Sequence, residues 1–169
     1  MKSCSAWLFL LACASACAPL GTVRTPASRP ALADGYCADI TPAERCGLLL
    51  RLPRALEVTP LSRTVLSNKL PQRVQLIGAS LVFPAPADIN PAWLQRTLIC
   101  HQADVAAHPS LAAADDPLVL PGAWLDVAAH QEGGTLVVTL ASSDPAQAEA
   151  ILARARAWHS KPLACAPNP

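Results

Sequence analysis

Cys100, His101, Asp104 and His108 bring a thiol, two imidazoles and a carboxylate into one stretch, Asn90 to Pro109 (NPAWLQRTLICHQADVAAHP). These are the donor types of zinc and copper sites, and a thiol beside an imidazole is also the raw material of nucleophilic catalysis. The spacing argues against both. His101 and His108 are seven positions apart, about 10 Å along a helix at about 1.5 Å per residue, so one ion cannot take both without distortion. Cys100 with Asp104, or Asp104 with His108, could still chelate across one turn. As helix neighbours, Cys100 and His101 point about 100° apart, which denies the sulfur the imidazole contact that a reactive thiolate needs. The simpler expectations are a hydrogen-bonded core histidine at 101 and a disulfide at Cys100.

The element that carries these residues is a helix with legible ends. Asn90 is a natural N-cap, Pro91 fits the first helical position, and Pro109 cannot continue the helix. On a 3.6-residue repeat Leu94, Leu98, His101 and Val105 share a stripe with Thr97 beside it, and this stripe is expected to lie on a sheet. Ahead of it, Thr41-Pro42-Ala43-Glu44 is a capping box that starts a short helix to about Leu50. Arg51 to Pro71 is the hardest stretch to read: Leu56 to Leu61 can hold a short strand, and Pro53, Pro60 and Pro71 argue for brief elements. Arg73 to Pro84 is a strand whose apolar parity changes around Ile77-Gly78, the mark of a bulge. Asp115-Asp116 before Pro117 reads as a turn within a loop from Leu111 to Pro121. Ala123 to His130 and Thr135 to Ala141 alternate as a hairpin joined by Gln131 to Gly134. Asp144 then caps a helix to about Trp158, with Ala148, Ile151, Leu152, Ala155 and Trp158 on one stripe.

The chain of 169 residues carries a formal net charge of +1, so no global field recruits nucleic acid or an anionic surface. The charge is nevertheless sorted. Arg45, Arg51, Arg54, Arg63, Lys69 and Arg73 stand against Glu57 alone in the first part of the domain, whereas acids outnumber Arg96 from Asp88 to Glu149. The two halves are expected to neutralise each other, with a basic face toward lipid headgroups or an acidic partner as the alternative. Beyond the leader the aromatics are Tyr36, Phe83, Trp93, Trp124 and Trp158, which packing would consume; Trp93 is the one that could face outward as a contact. Hydrolase, phosphate-loop and calcium-loop signatures are absent, so no enzyme activity and no cofactor are expected.

At the N-terminus Lys2, the apolar run Ala6 to Ala12 and the small residues Ala14-Ser15-Ala16 form a secretory leader too short to span a bilayer. Its end resembles the lipobox of bacterial lipoproteins, in which small residues precede a cysteine that becomes the lipidated mature N-terminus. Cys13 follows the better leucines and Cys17 gives the better leader length; Cys17 is preferred. Ala14 stands where a lipobox favours leucine, and ordinary cleavage before Cys17 is the alternative. The resemblance implies a signal over 1–16 and a lipidated Cys17 with a flexible tether over 17–35, since Pro19 to Asp34 is rich in Pro, Ala, Ser and Thr. With Ala18 after the cysteine, it also implies sorting to the outer membrane, facing the periplasm. Of the seven cysteines, this leaves Cys37, Cys46, Cys100 and Cys165, an even set that reads as two disulfides in an exported chain. A local Cys37–Cys46 staple and a Cys100–Cys165 bridge over the tail are the expected pairs.

Residues 36–165 therefore read as a single α+β domain, a small two-layer sandwich of an antiparallel sheet with helices on one face, stapled by disulfides. The order strand, helix, strand, strand, helix resembles a ferredoxin-like sandwich lacking its last strand. With the run GGTLVVTLASSDPAQAEAIL, the layout of Asn90 to Trp158 is also loosely similar to BON domains, bacterial envelope modules associated with phospholipid or membrane contact. The long loop after the first of those helices departs from that pattern. The expected function is a lipid-anchored cell-envelope protein whose domain binds a partner or serves structurally; the rival is a periplasmic metal-binding or redox-linked protein using Cys100, His101, Asp104 and His108.

Overall fold

The computed structural model describes residues 35–67, 70–108, 116–120 and 122–160. The leader, Cys17, the tether up to residue 34, Asp115 and Cys165 lie outside the described residues, as does the side chain of Cys46. In chain order the elements are helix α1 (Pro42–Arg51), strands β1 (Glu57–Ser67) and β2 (Leu70–Pro84), helix α2 (Pro91–Ala107), strands β3 (Asp126–Glu132) and β4 (Thr135–Ala141), and helix α3 (Pro145–Ser160).

The expected α+β sandwich is what forms. The four strands make one antiparallel sheet in the order β1-β2-β4-β3. Because β4 runs antiparallel to both β2 and β3, β2, α2 and β3 form a split β-α-β unit with β4 inserted between its strands. A ferredoxin-like layout would close with a strand after the second helix. Here the position beside β2 is held by β1, which arrives from the N-terminal side as one arm of a hairpin.

Strand alternation puts one apolar row after another on the same face. Ala79, Leu81 and Phe83 pair with Leu140, Val138 and Leu136, and Val127 pairs with Leu140 on the far side. These residues form a single buried cluster with Leu48 and Leu49 of α1, Leu94 and Leu98 of α2, and Ile151, Leu152 and Ala155 of α3. All three helices thus cover one face, which is where the hydrophobic driving force for the fold lies. Trp158 closes the end of the α3 stripe, edge-on to Phe83 with ring centroids 5.7 Å apart.

Two glycine sites set the sheet's shape. At Ile77-Gly78 the β1–β2 register slips by one residue, so that Leu76 and Leu81 face the same core across a change of parity. Gly78 has φ +154°, and a Cβ there would sit 1.9 Å from the Leu140 carbonyl oxygen, so only glycine lets β2 approach β4 this closely. The β3–β4 turn is the pair Gly133-Gly134, with φ +54° and +81°. Positive φ at both central residues is the twist-matched hairpin geometry, and it lengthens β3 to Glu132 beyond the expected end at His130.

The Arg51–Pro71 stretch departs most from expectation. Instead of brief elements, β1 runs 11 residues and β2 15. The prolines are tolerated because β1 is an edge strand, where Pro60 has no outer ladder to serve, and because Pro71 sits next to the far end of the hairpin. Beyond Gly78 the hairpin has no third strand among the described residues: β2 pairs with β4 only from Gly78 to Pro84, while β1 and β2 stay paired out to Ser67 and Leu70. The result is a two-stranded arm projecting from the sheet.

Candidate functional site

Asn90 caps α2 as expected, its Oδ1 accepting from the Ala92 and Trp93 amides. Its apolar stripe is buried through Leu94, Thr97, Leu98 and Val105, and burial extends to Cys100, Gln102 and Ala103. A helix buried over so wide an arc must satisfy its polar groups inside the protein. Thr97 does so within the helix, its hydroxyl donating to the Trp93 carbonyl at 2.9 Å; the others tie another segment to α2.

Cys100, fully buried, is disulfide-bonded to Cys37. This corrects the expected Cys37–Cys46 staple and Cys100–Cys165 bridge: the chain before α1 packs against the middle of α2, and Ile40 joins the two half-cystines in a small buried cluster. Charge supports the same packing. Arg96 donates to the Tyr36 carbonyl from Nε at 2.9 Å and to Asp39 Oδ2 from Nη1 at 3.0 Å, and its guanidinium lies 5.1 Å over the Tyr36 ring. The Arg96 hydrogen bond holds the Asp39 carboxyl below its ordinary pKa. Arg45 of α1 is buried, ion-paired to Asp104 and bonded through Nη1 to the Ile40 carbonyl at 3.0 Å. Across the capping box, the hydrogen bonds that the Thr41 amide and hydroxyl donate pull the Glu44 carboxyl below its usual range.

His101 points to the other side, its Nε2 2.6 Å from Asp116 Oδ2. Its side chain is 20% exposed and that of Asp116 4%, so the expected hydrogen-bonded histidine is found against a loop carboxylate at the margin of the core. Asp116 is also the turn residue expected there, since its Oδ1 accepts from the Leu118 amide at 2.8 Å. Arg154 of α3 holds the same loop through the Asp116 carbonyl at 3.0 Å and the Val119 carbonyl. On its third side α2 reaches the strand edge. Gln102 accepts from the Leu125 amide at 2.9 Å, and Gln95 accepts from the Ala129 amide at 3.1 Å; both serve backbone groups on the outer edge of the sheet.

The four ligand candidates are therefore dispersed. Cys100 has no thiolate to give, Asp104 belongs to Arg45, His101 belongs to Asp116, and exposed His108 ends the helix with its amide on the Asp104 carbonyl at 2.8 Å. Among the described residues no group of three or more His, Cys, Asp or Glu converges on a point that could hold a metal. The Cys100, His101, Asp104, His108 metal site is accordingly replaced by three separate anchors. Arg154, Gln95 and Gln102 join this network without having been singled out from sequence, which marks Asp116 only as a turn residue and Arg45 only as part of the charge balance. The one available signal was positional, a polar residue on or beside a buried stripe.

No protein-family model, no curated protein and no solved structure matches the chain. No helix among the described residues is long and apolar enough to cross a membrane.

The expected neutralisation between halves occurs at Arg45–Asp104 and, in solvent, at Arg51–Asp88. Arg63 and Arg73 on the arm take no carboxylate partner among the described residues. Trp93 is 37% exposed at the start of α2, a boundary position.

Proposed function

We propose that this is a lipid-anchored cell-envelope protein whose α+β domain binds a partner and catalyses nothing. One observation carries the export half of the reading: a disulfide between Cys37 and Cys100, both buried, joining segments 63 positions apart. Such a bond is at home in an oxidising compartment and rare in the cytosol, and it agrees with a secretory leader ending in a lipobox-like Ala14-Ser15-Ala16-Cys17. The binding half rests on the use of the helix side chains. Every ionisable group on the best candidate helix, His108 apart, is engaged in holding a segment in place, which leaves recognition to the periphery.

The lipid anchor places the domain at the outer membrane on the periplasmic side, with the tether giving it reach. Fractionation of cells expressing wild-type and Cys17→Ala chains tests this. The anchored protein sediments with membranes and the variant moves to the soluble periplasmic fraction; membrane association unchanged in Cys17→Ala refutes the anchor.

A further inference from the structure

We propose that the projecting arm of β1 and β2 is a docking edge for an extended acidic segment of a partner protein, which adds as a strand beside the outer half of β2. No described strand holds this position. The ladder between β2 and β4 ends at Gly78–Ala141, and the Ser142 amide on the Ile77 carbonyl at 2.7 Å closes it before the chain turns into α3. From Gln72 to Leu76 the outer edge of β2 has no neighbouring strand among the described residues, yet β1 holds β2 extended on the other side through Thr64–Val74 and Val65–Arg73. A row of backbone donors and acceptors already fixed in strand geometry is the template that strand addition uses.

The side chains on the arm specify what adds. Arg63 pairs across the strands with Gln75, and Val65 with Arg73. Alternation therefore places both arginines on one face at diagonal positions, near enough for one carboxylate-bearing strand to serve both. Among the described residues Arg63 donates to Gln75 Oε1, at 3.3 Å, and no carboxylate meets Arg63 or Arg73. The opposite face presents Val74, 76% exposed, the most exposed large apolar side chain described. A complementary strand thus has acidic residues on one face and a β-branched or apolar residue on the other. The chain's own segments outside the described residues fit poorly: Pro19 to Asp34 and Lys161 to Pro169 are proline-rich with basic residues before Asp34, and 109–115 has one acid, Asp115, and no β-branched residue. A partner protein is the better source.

This inference rests on the binding role proposed above and names its partner chemistry; it is tested apart from the anchor by using the mature, unlipidated Cys17→Ser chain. Fluorescence anisotropy is read with a labelled nonapeptide of alternating Glu and Val. Saturable binding is expected, weakening with added salt and falling about tenfold or more in Arg63→Glu/Arg73→Glu. A Lys-Val nonapeptide, or the Glu-Val peptide with a central proline, is expected not to bind. Unchanged thermal melting shows that the variant is folded, since both arginines are exposed. Failure of the Glu-Val peptide to bind, equal binding of the Lys-Val or proline peptides, or binding of the arm's arginines to phosphatidylglycerol vesicles in place of the peptide would each overturn the proposal. Loss of membrane sedimentation leaves this result untouched, so the two readings fail separately.

Discussion

Replacing Cys37 and Cys100 together by alanine removes the one covalent link between the chain before α1 and the centre of α2. The loop it closes spans 63 positions. In the chain-entropy description, a loop of that length costs the unfolded state about 4 kcal/mol at 25 °C, against about 2.6 kcal/mol for a local bridge from Cys37 to Cys46. For a domain whose total stability is of the order of 5–15 kcal/mol, about 4 kcal/mol is a large fraction, equivalent to roughly 10–20 °C in Tm. Arg96 on Tyr36 and Asp39, and Arg45 on Asp104, still hold the same segments in the folded state. The double variant should therefore fold to the same structure and simply melt earlier. The assay is thermal and urea denaturation of the mature chain, oxidised, reduced and as the double variant, with a non-reducing peptide map to fix the linkage. Reduced wild type and the double variant should lose a similar amount. A map joining Cys37 to Cys46, or a loss under about 1 kcal/mol, would refute the reasoning.

Other substitutions probe separate parts of the frame. Gly78→Ala drives a Cβ into the Leu140 carbonyl and is expected to cost about 2–4 kcal/mol by forcing β2 from β4; denaturation within about 0.5 kcal/mol of wild type contradicts the close approach. Asp116→Ala strands the Leu118 amide and leaves His101 without its partner, which should cost about 2–4 kcal/mol and raise amide exchange across 116–120. Exchange unaltered there would show that Asp116 is not the anchor. Asp39 and Glu44 are held below their ordinary values in the folded chain. The stability they contribute is therefore fully present above the unfolded pKa near about 4 and is lost as pH falls through the lower folded values. Tm should drop on acidification below about pH 4, and Glu44→Ala should flatten that drop; an identical acid limb in the variant argues against the capping box as its source.

Periodicity made the last third of the domain readable. Leu136, Val138 and Leu140 alternate against Thr135, Val137 and Thr139, and the α3 stripe repeats at helical spacing, so burial follows the pattern apart from Val137, which is buried on the opposite parity. The ends of α1 and α2 were readable too, because Thr41-Glu44 and Asn90-Pro91 are local chemistry that acts wherever the helix is placed. The bulge at Ile77-Gly78 was legible as a parity change. The arm was legible only on its β2 side, where Arg73 to Pro84 reads as a strand; Arg63 and Thr64 of β1 are exposed on both faces and leave no alternation to detect. Nor could spacing settle which cysteines pair: Cys37 and Cys46 are near in sequence, but α1 carries its lead-in across α2 and so delivers Cys37 to Cys100. The polar anchors of α2 escaped for a related reason. Gln95 and Gln102 bond to backbone distant in sequence, and Asp116, legible only as a turn residue, also meets His101 on α2; no local pattern encodes a partner that only the fold brings near.

The central proposal, a lipid-anchored exported domain, is tested most directly by mass spectrometry of the mature N-terminus from detergent-extracted membranes. A lipoprotein yields an N-terminal peptide beginning at Cys17 with a diacylglycerol mass on its sulfur. A peptide beginning at Cys17 without lipid, or one retaining residues of the leader, contradicts it.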